Sequence, residues 1–189
     1  MGVKGAIIGG EYIAGDLSIV DGLIDQVGLP AGDSGMAVPG FVDVQVNGFG
    51  GIDWSSASTD EWFHANRLLA NTGVTSYLAN IISNDATAID RILLVAEDVC
   101  RQDYAAASHL LGLHLEGPFL APVKAGIHSR EFLTDPTPDL FAKWCELGPV
   151  VMTTIAPELP GALQLIREAA TSGVVVSLGH SNCTAEEAQ

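Results

Sequence analysis

The residue types best suited to chemistry lie where two predicted strands end. The run Leu111-Gly-Leu-His-Leu-Glu-Gly-Pro118 alternates leucine with His114 and Glu116, and Gly117-Pro118 ends the strand directly after the carboxylate. Because burying an unpaired carboxylate is costly, Glu116 needs a metal ion, a cation or a proton. The alternative is a strand-end side chain that reaches solvent. His180 follows a second apolar run, 174–178, by two residues.

Glu116 and His180 together offer one oxygen ligand and one imidazole ligand. This pair suits a divalent ion such as zinc. The carboxyl ends of parallel strands meet at one edge of a sheet, so the two side chains can converge there. An isolated histidine is also compatible with a hydrogen-bonded core residue, and two protein ligands are too few for a complete zinc site.

A further set of polar residues alternates with valine along the strand predicted at 41–46. Its valines alternate with Asp43, Gln45 and Asn47, whereas a buried parallel strand is expected to be apolar on both faces. Either this polar face looks into a cavity or site, or the strand is an edge strand with one solvated face.

Strands and helices alternate from Gly40 onward. Apolar runs predict strands at 41–46, 74–78, 110–115, 150–155 and 174–178. The helices between them are marked by the capping box Ser58-Thr-Asp-Glu61 and by two apolar stripes. The stripes comprise Ile89, Ile92, Leu93, Ala96, Val99 and Cys100, and then Leu163, Ile166, Ala169 and Ala170. The alternation predicts a parallel sheet with crossover helices, either doubly wound or a β/α barrel.

The first forty residues have a different character. They read as short strands, with Asp21-Gly22 suited to a tight hairpin turn. We expect a small β-module at 1–38 and an α/β domain at 39–189. A second capping box, Thr184-Ala-Glu-Glu187, predicts a helix just before the last residue, so we expect the chain to be the N-terminal part of a longer enzyme.

Composition limits the classes of partner. The 189 residues carry a net charge of −15, 48% are hydrophobic and the mean hydropathy is +0.31, which supports a packed core. The sequence contains no basic cluster and no apolar run of the roughly eighteen residues that span a bilayer, so nucleic acid and membrane are poor partners. Three cysteines without a Cys-x-x-Cys pair argue against a disulfide framework. We expect a cytoplasmic protein with a small ligand.

The remaining polar candidates carry less weight. His128 lies in a long loop, 119–136, of the kind that covers a site, and Glu158 follows the fourth strand of the α/β domain. We expect His64 and His109 on the surface. Cys100 is expected in the core and Cys183 is expected to be a spectator near the site.

Five motifs, taken together, resemble a known family. They are Pro39-Gly-Phe-Val-Asp-Val-Gln-Val-Asn-Gly-Phe-Gly-Gly51, Gly112-Leu-His-Leu-Glu-Gly-Pro-Phe-Leu120, Ala125-Gly-Ile-His128, Ala156-Pro-Glu158 and Leu178-Gly-His-Ser181. In order and spacing the chain is similar to N-acetylglucosamine-6-phosphate deacetylases of the amidohydrolase superfamily. The resemblance implies a TIM-type (β/α) barrel of the metal-dependent hydrolases, present here as about five strands and preceded by part of a small β-sandwich domain.

The resemblance also implies an activity and a set of site residues. The reaction is hydrolysis of the acetamide of N-acetyl-D-glucosamine 6-phosphate to D-glucosamine 6-phosphate and acetate. Glu116 and His180 match ligands of the catalytic divalent metal, expected to be zinc. Ile127 and His128 match the loop residues that contact the sugar phosphate. Many amidohydrolases bind a second metal through His-x-His at the end of the first strand.

Gln45 and Asn47 stand at the positions of that His-x-His pair, so a single ion is expected. By the same resemblance, the catalytic aspartate and a third ligand, a histidine, lie beyond Gln189. The phosphate-binding arginine comes from a neighbouring subunit of a homodimer or homotetramer. We therefore expect no turnover from the 189 residues alone.

Two other classes compete with this interpretation. One is a different amidohydrolase, such as an adenine deaminase or dihydroorotase relative. The missing His-x-His pair, replaced by Gln45 and Asn47, counts against it. The other is a non-catalytic β/α binding module. A module without a reaction has no need of two convergent ligands, Glu116 and His180.

Overall fold

The computed structural model describes residues 2–102 and 106–189, which fall into two compact units, Met1–Phe41 and Val42–Gln189. The division lies close to the predicted boundary after residue 38. The first unit contains two antiparallel strand pairs. Its strands are β1 (Gly5–Ile8), β2 (Glu11–Ala14), β3 (Asp16–Val20) and β4 (Leu23–Leu29), with β1 paired to β2 and β3 to β4. A β-sandwich remains a prediction for this unit.

The predicted hairpin turn is confirmed. Val20 of β3 lies opposite Leu23 of β4, and the two residues between them, Asp21 and Gly22, have φ values of 52° and 77°. Positive φ at both central turn positions matches the twist of the flanking strands, and glycine and aspartate tolerate it best.

The second unit is a five-stranded parallel sheet with helices between its strands. Its elements in chain order are β5 (Phe41–Val46), α1 (Thr59–Ala70), β6 (Val74–Ile82), α2 (Ala86–Cys100), β7 (His109–Glu116), α3 (Pro138–Leu147), β8 (Val150–Ile155), α4 (Ala162–Thr171) and β9 (Val175–Leu178). The spatial order of the strands is the chain order, β5 to β9. A doubly wound sheet reverses its order at a switch point. The described strands do not, so of the two predicted architectures the half barrel is the one observed.

Local signals in the sequence explain where the helices begin. Ser58 caps α1: its hydroxyl accepts from the backbone N–H of Glu61, and the Glu61 carboxylate accepts from the backbone N–H of Ser58. The stripe predicted on α2 is buried from Ile89 to Val99, as expected for a face that packs on the sheet. At the second capping box, the hydrogen bonds between Thr184 and Glu187 form within a turn.

Strand β7 corrects one predicted face. The alternation along this run predicts that Leu111 points the same way as Leu113 and Leu115, but its side chain is 48% exposed. The pairing with β6 skips it: Tyr77 lies opposite Leu110 and Leu78 opposite Gly112. This irregularity turns Leu111 outward, whereas Leu113 and Leu115 remain fully buried in the core.

Helix α4 corrects a second face. The predicted stripe included Leu163, which is 57% exposed, whereas Leu165 is completely buried. The face on the sheet comprises Ala162, Leu165 and Ala169. Two apolar stripes overlap on this short helix, about 100° apart, and packing selects the one with the smaller residues.

Paired leucine variants test the observed face of α4. Leu165→Ala is expected to lower the free energy of unfolding by about 2 to 5 kcal/mol, because it opens a cavity in the core. Leu163→Ala on the same helix is expected to change it by less than about 0.5 kcal/mol. Urea denaturation of the two variants measures both effects, and equal losses would contradict the assignment.

Candidate metal centre

The carboxyl ends of the parallel strands bring the predicted ligands together. Glu116 ends β7, and His180 follows β9 by two residues. Their side chains meet, with Oε1 of Glu116 2.9 Å from Nε2 of His180. The convergence predicted from the strand ends is therefore present, although β8 separates the two strands in the sheet.

Glu116 is buried and held from two sides. Its Oε2 accepts from Nδ2 of Asn80 at 2.6 Å, and Nε2 of Gln45 lies 3.4 Å from the same oxygen. Burial by itself raises the pKa of Glu116, but hydrogen bonds from Asn80 and His180 outweigh it, so the pKa lies below its ordinary value. The side chain is thus an oriented carboxylate near neutral pH.

His180 is oriented by a backbone carbonyl. Its Nδ1 lies 2.9 Å from the carbonyl oxygen of Lys124, which can only accept, so Nδ1 carries the proton. Nε2 is then the nitrogen on the side of Glu116: it can donate to Oε1 in the absence of a metal ion, or give its lone pair to an ion bound there. Metal-binding histidines in proteins commonly have this arrangement, with the outer ring nitrogen donating to a carbonyl. The residue has φ of 48°, and its own carbonyl accepts from the Ala121 N–H.

His128 lies beside both predicted ligands. Its ring centroid is 4.5 Å from that of His180, in an edge-to-face arrangement, and its Nε2 is 3.9 Å from Oε1 of Glu116. One ligand atom from each of Glu116, His128 and His180 lies within 4.8 Å of the other two. Burial lowers the pKa of His128, and the neighbouring His180 lowers it further, whereas Glu116 raises it by less. The net shift is downward, so the ring is neutral near neutral pH.

The donor set fits a divalent metal ion. A carboxylate and imidazole nitrogens are the ligands that zinc takes at catalytic sites. The orientation of His180 by the Lys124 carbonyl, and of Glu116 by Asn80, supplies the outer hydrogen bonds that such ligands require. The residues present are therefore compatible with a metal centre at this edge of the sheet.

The amides at the end of β5 join the same network. Asn80 donates to Oδ1 of Asn47 at 2.6 Å as well as to Glu116, and Gln45 approaches Glu116. The polar face of β5 therefore looks towards the site, while the strand also lies at an edge of the described sheet. The expected contrast between a solvated and a covered face is absent, because Val42 and Val44 are exposed as well and Val46 is the buried residue of this strand.

Asn80 and Ser83 were missed in the sequence because β6 is longer than predicted. The strand was expected to end at Leu78, but it continues to Ile82, which places Asn80 beside Glu116 and Ser83 beside His128. The signal available in the sequence was Asn80, a polar residue between Ala79 and Ile81 in an otherwise apolar run.

Ile127 has a different environment from His128. Its side chain is 82% exposed and lines a pocket that also includes Asn47, Trp54 and Asn80. The loop therefore contributes one exposed apolar residue to the pocket and one buried histidine to the ligand cluster.

Glu158 contacts the segment that follows His180. Its carboxylate accepts from the hydroxyl of Ser181 at 2.7 Å and from the backbone N–H of Asn182 at 2.6 Å. Burial raises the pKa of Glu158, but these hydrogen bonds lower it by more, so the net shift is downward. His64 and His109 are exposed, as predicted.

His114 shares the strand of Glu116 but belongs to the scaffold. It is 3% exposed, its Nε2 lies 2.7 Å from Oγ1 of Thr154, and its Nδ1 lies 3.2 Å from the carbonyl oxygen of Val44. These contacts link β7 to β8 and to β5. Burial lowers the pKa of His114, against smaller opposing effects of the Val44 carbonyl and Glu116.

A pH dependence of stability follows from His114. Since the folded pKa lies below the unfolded value of 6.5, the unfolded chain binds the proton more readily, and stability is lost as pH falls below about 6.5. His114→Gln is expected to show a smaller loss than the wild type between pH 7.5 and 5.5 in urea denaturation. The exposed control His64→Gln should keep the wild-type loss, and an unchanged loss in His114→Gln would contradict the prediction.

No helix in the ranges 2–102 and 106–189 is both long and apolar enough to cross a membrane. No protein-family model matches the chain. Individual proteins do: the chain is 32% identical over 172 residues to the N-acetylglucosamine-6-phosphate deacetylase of Lysinibacillus sphaericus, a match that covers 88% of this chain and 42% of that protein. The crystal structure of the Mycobacterium smegmatis enzyme of the same name superposes with a TM-score of 0.87 at 30% identity, covering 98% of this chain and 51% of that one.

The chain is a homologue of these deacetylases. An alanine mutant of the Mycobacterium smegmatis deacetylase, in complex with N-acetyl-D-glucosamine-6-phosphate, superposes with a TM-score of 0.85 at 29% identity and covers 98% of this chain and 50% of that one. The chain spans 42% of the length of the curated deacetylase from Lysinibacillus sphaericus.

Proposed function

We propose that the protein hydrolyses the acetamide of N-acetyl-D-glucosamine 6-phosphate to D-glucosamine 6-phosphate and acetate, as an amide hydrolase of amino-sugar catabolism. The observation that carries the proposal is the meeting of Glu116 and His180, 2.9 Å apart at the carboxyl edge of a parallel sheet. Homology to deacetylases, one of them crystallised with this sugar phosphate, supports the choice of substrate.

Glu116 and His180 would hold one divalent metal ion, which we propose to be zinc. When bound, such an ion lowers the pKa of a water molecule and polarises the amide carbonyl. The amides of Gln45 and Asn47 are weak zinc ligands, and they already take part in hydrogen bonds around Asn80 and Glu116. This supports a single ion in the site.

Two further residues, His128 and Ile127, bind and orient the substrate. We assign His128 to the acetamide: its side chain is buried and its Nε2 has no hydrogen-bond partner among the described residues, which supports such a bond. We assign Ile127 to the sugar, and its exposure at the pocket supports the assignment. Burial lowers the pKa of His128, so its ring is neutral near neutral pH, and with Nδ1 accepting from the Ser83 N–H its remaining proton is on Nε2.

Further parts of the proposal come from the resemblance alone. They are a catalytic aspartate and a third histidine ligand outside the 189 residues, a TIM-type barrel, an arginine from the neighbouring subunit of a homodimer or homotetramer, and a cytoplasmic location.

Acetate release by the full-length protein tests the proposed reaction. We expect turnover of N-acetyl-D-glucosamine 6-phosphate, much slower turnover of N-acetyl-D-glucosamine, loss of activity after chelation, and recovery with added Zn²⁺. Turnover that survives complete removal of metal would contradict the metal-dependent mechanism. If the metal-loaded protein did not turn over N-acetyl-D-glucosamine 6-phosphate, the proposed substrate would be wrong.

A further inference from the structure

The two histidines of the site face opposite kinds of backbone group. Nδ1 of His180 faces the Lys124 carbonyl, an acceptor, at 2.9 Å. Nδ1 of His128 faces the backbone N–H of Ser83, a donor, at 3.2 Å. A neutral imidazole has one nitrogen that donates and one that accepts. The backbone partners therefore favour a proton on Nδ1 of His180 but a proton on Nε2 of His128, although the two rings lie edge to face.

Ser83 offers His128 a second donor as well. Its Oγ is 2.9 Å from the same Nδ1, and a hydroxyl can donate its proton there. The backbone N–H cannot change its role, so a proton on Nδ1 would place two N–H groups head to head. Both donors of Ser83 thus favour a bare Nδ1 and a protonated Nε2.

The fold makes room for this contact at one glycine. A Cβ on Gly117 would lie only 2.2 Å from Oγ of Ser83, and Gly117 has φ of 95°, which favours glycine. Gly117 follows Glu116 directly, and Ile82, the residue before Ser83, pairs with Glu116 in the sheet. The strand ends that place the carboxylate therefore also place Ser83 against His128.

The consequence lies at the opposite ring nitrogen. Nε2 of His128 is buried and without a hydrogen-bond partner among the described residues, and it lies 3.9 Å from Oε1 of Glu116. A protonated Nε2 has no lone pair for a metal, whereas Nε2 of His180 has one. Proximity alone would group His128 with the metal ligands; its hydrogen bonds separate it from them.

We propose that Ser83 is a positioning residue that fixes the proton of His128 on Nε2, making this ring a hydrogen-bond donor to the substrate and excluding it from the metal. The donor role rests on the proposed deacetylation, but the position of the proton does not. Ser83 acts only through His128 and contacts no reacting atom.

Nitrogen spectra of the full-length protein, labelled with ¹⁵N in histidine only and holding its metal, test the proposal. Long-range ¹H–¹⁵N correlation distinguishes a protonated ring nitrogen from a bare one. The signals of His128 are identified by their loss in His128→Asn. We expect a protonated Nε2 and a bare Nδ1, and a proton on Nδ1 would overturn the proposal.

Two variants test the part of Ser83. Ser83→Ala removes the hydroxyl but keeps the backbone donor, so the ratio of the two His128 tautomers should shift about tenfold towards a proton on Nδ1. Ser83→Thr keeps a hydroxyl and should restore the wild-type spectrum. Spectra that are identical in wild type and Ser83→Ala would overturn the role of the hydroxyl.

The catalytic consequence is measured separately. In Ser83→Ala we expect a lower kcat with KM within about twofold, since the donor is misplaced only part of the time. The spectra report the proton whether or not the protein hydrolyses the sugar phosphate. Failure of the acetate assay would therefore contradict the proposed function, whereas a proton on Nδ1 would contradict the role of Ser83.

Discussion

Glu116→Gln is expected to lower the Zn²⁺ affinity of the full-length protein by more than about 100-fold. The substitution keeps the size of the side chain and an acceptor for Asn80, but it removes the negative charge that lies 2.9 Å from Nε2 of His180. Loss of outer hydrogen bonds alone costs about 10- to 100-fold in metal affinity, and loss of a charged ligand should cost more. Calorimetric titration with Zn²⁺ measures the change.

Glu168→Gln is the matched control, because Glu168 is an exposed glutamate on α4 and lies outside the ligand cluster. It should bind Zn²⁺ as the wild type does. Circular dichroism of both variants shows whether they remain folded. A Glu116→Gln protein that is folded and binds Zn²⁺ with wild-type affinity would exclude Glu116 as a ligand.

His128→Asn is expected to lower kcat by about 10²- to 10³-fold while leaving zinc content unchanged. Asparagine places an acceptor where Nδ1 of His128 now receives the donors of Ser83, but it has no donor at the position of Nε2. Removal of one preorganised donor from an oxyanion site has an effect of this size. Acetate release and metal analysis of the same preparation measure the two quantities.

His128→Gln is the complementary variant. Its amide N–H reaches the position of Nε2 but leaves the donors of Ser83 without the ring acceptor, so we expect it to retain more activity than His128→Asn. Loss of zinc from either variant would make His128 a metal ligand and contradict the donor assignment.

The sequence predicted the convergence of Glu116 and His180 because the rule behind it is topological. Parallel strands present their carboxyl ends at one edge whatever the side chains between them, so the ends of two apolar runs were enough. Gln45 was found the same way, from the alternation of β5. These residues are positioned by backbone geometry that hydrophobic periodicity reveals directly.

This topological rule could not predict the groups that surround and orient the ligands. The Lys124 carbonyl and the ring of His128 come from a loop, whose path depends on packing and not on a repeating pattern. Ser83 follows a strand whose apolar run gave no sharp end. The burial of Leu165 in place of Leu163 likewise depends on which stripe of α4 meets the sheet, and that choice is made by tertiary packing.

Anomalous scattering at the zinc edge, from crystals of the full-length protein grown with Zn²⁺, tests the central claim most directly. The account predicts one peak, about 2.0 to 2.2 Å from a carboxylate oxygen of Glu116 and from Nε2 of His180, with Nε2 of His128 outside bonding distance. A peak bonded to His128, or no peak between Glu116 and His180, would contradict it.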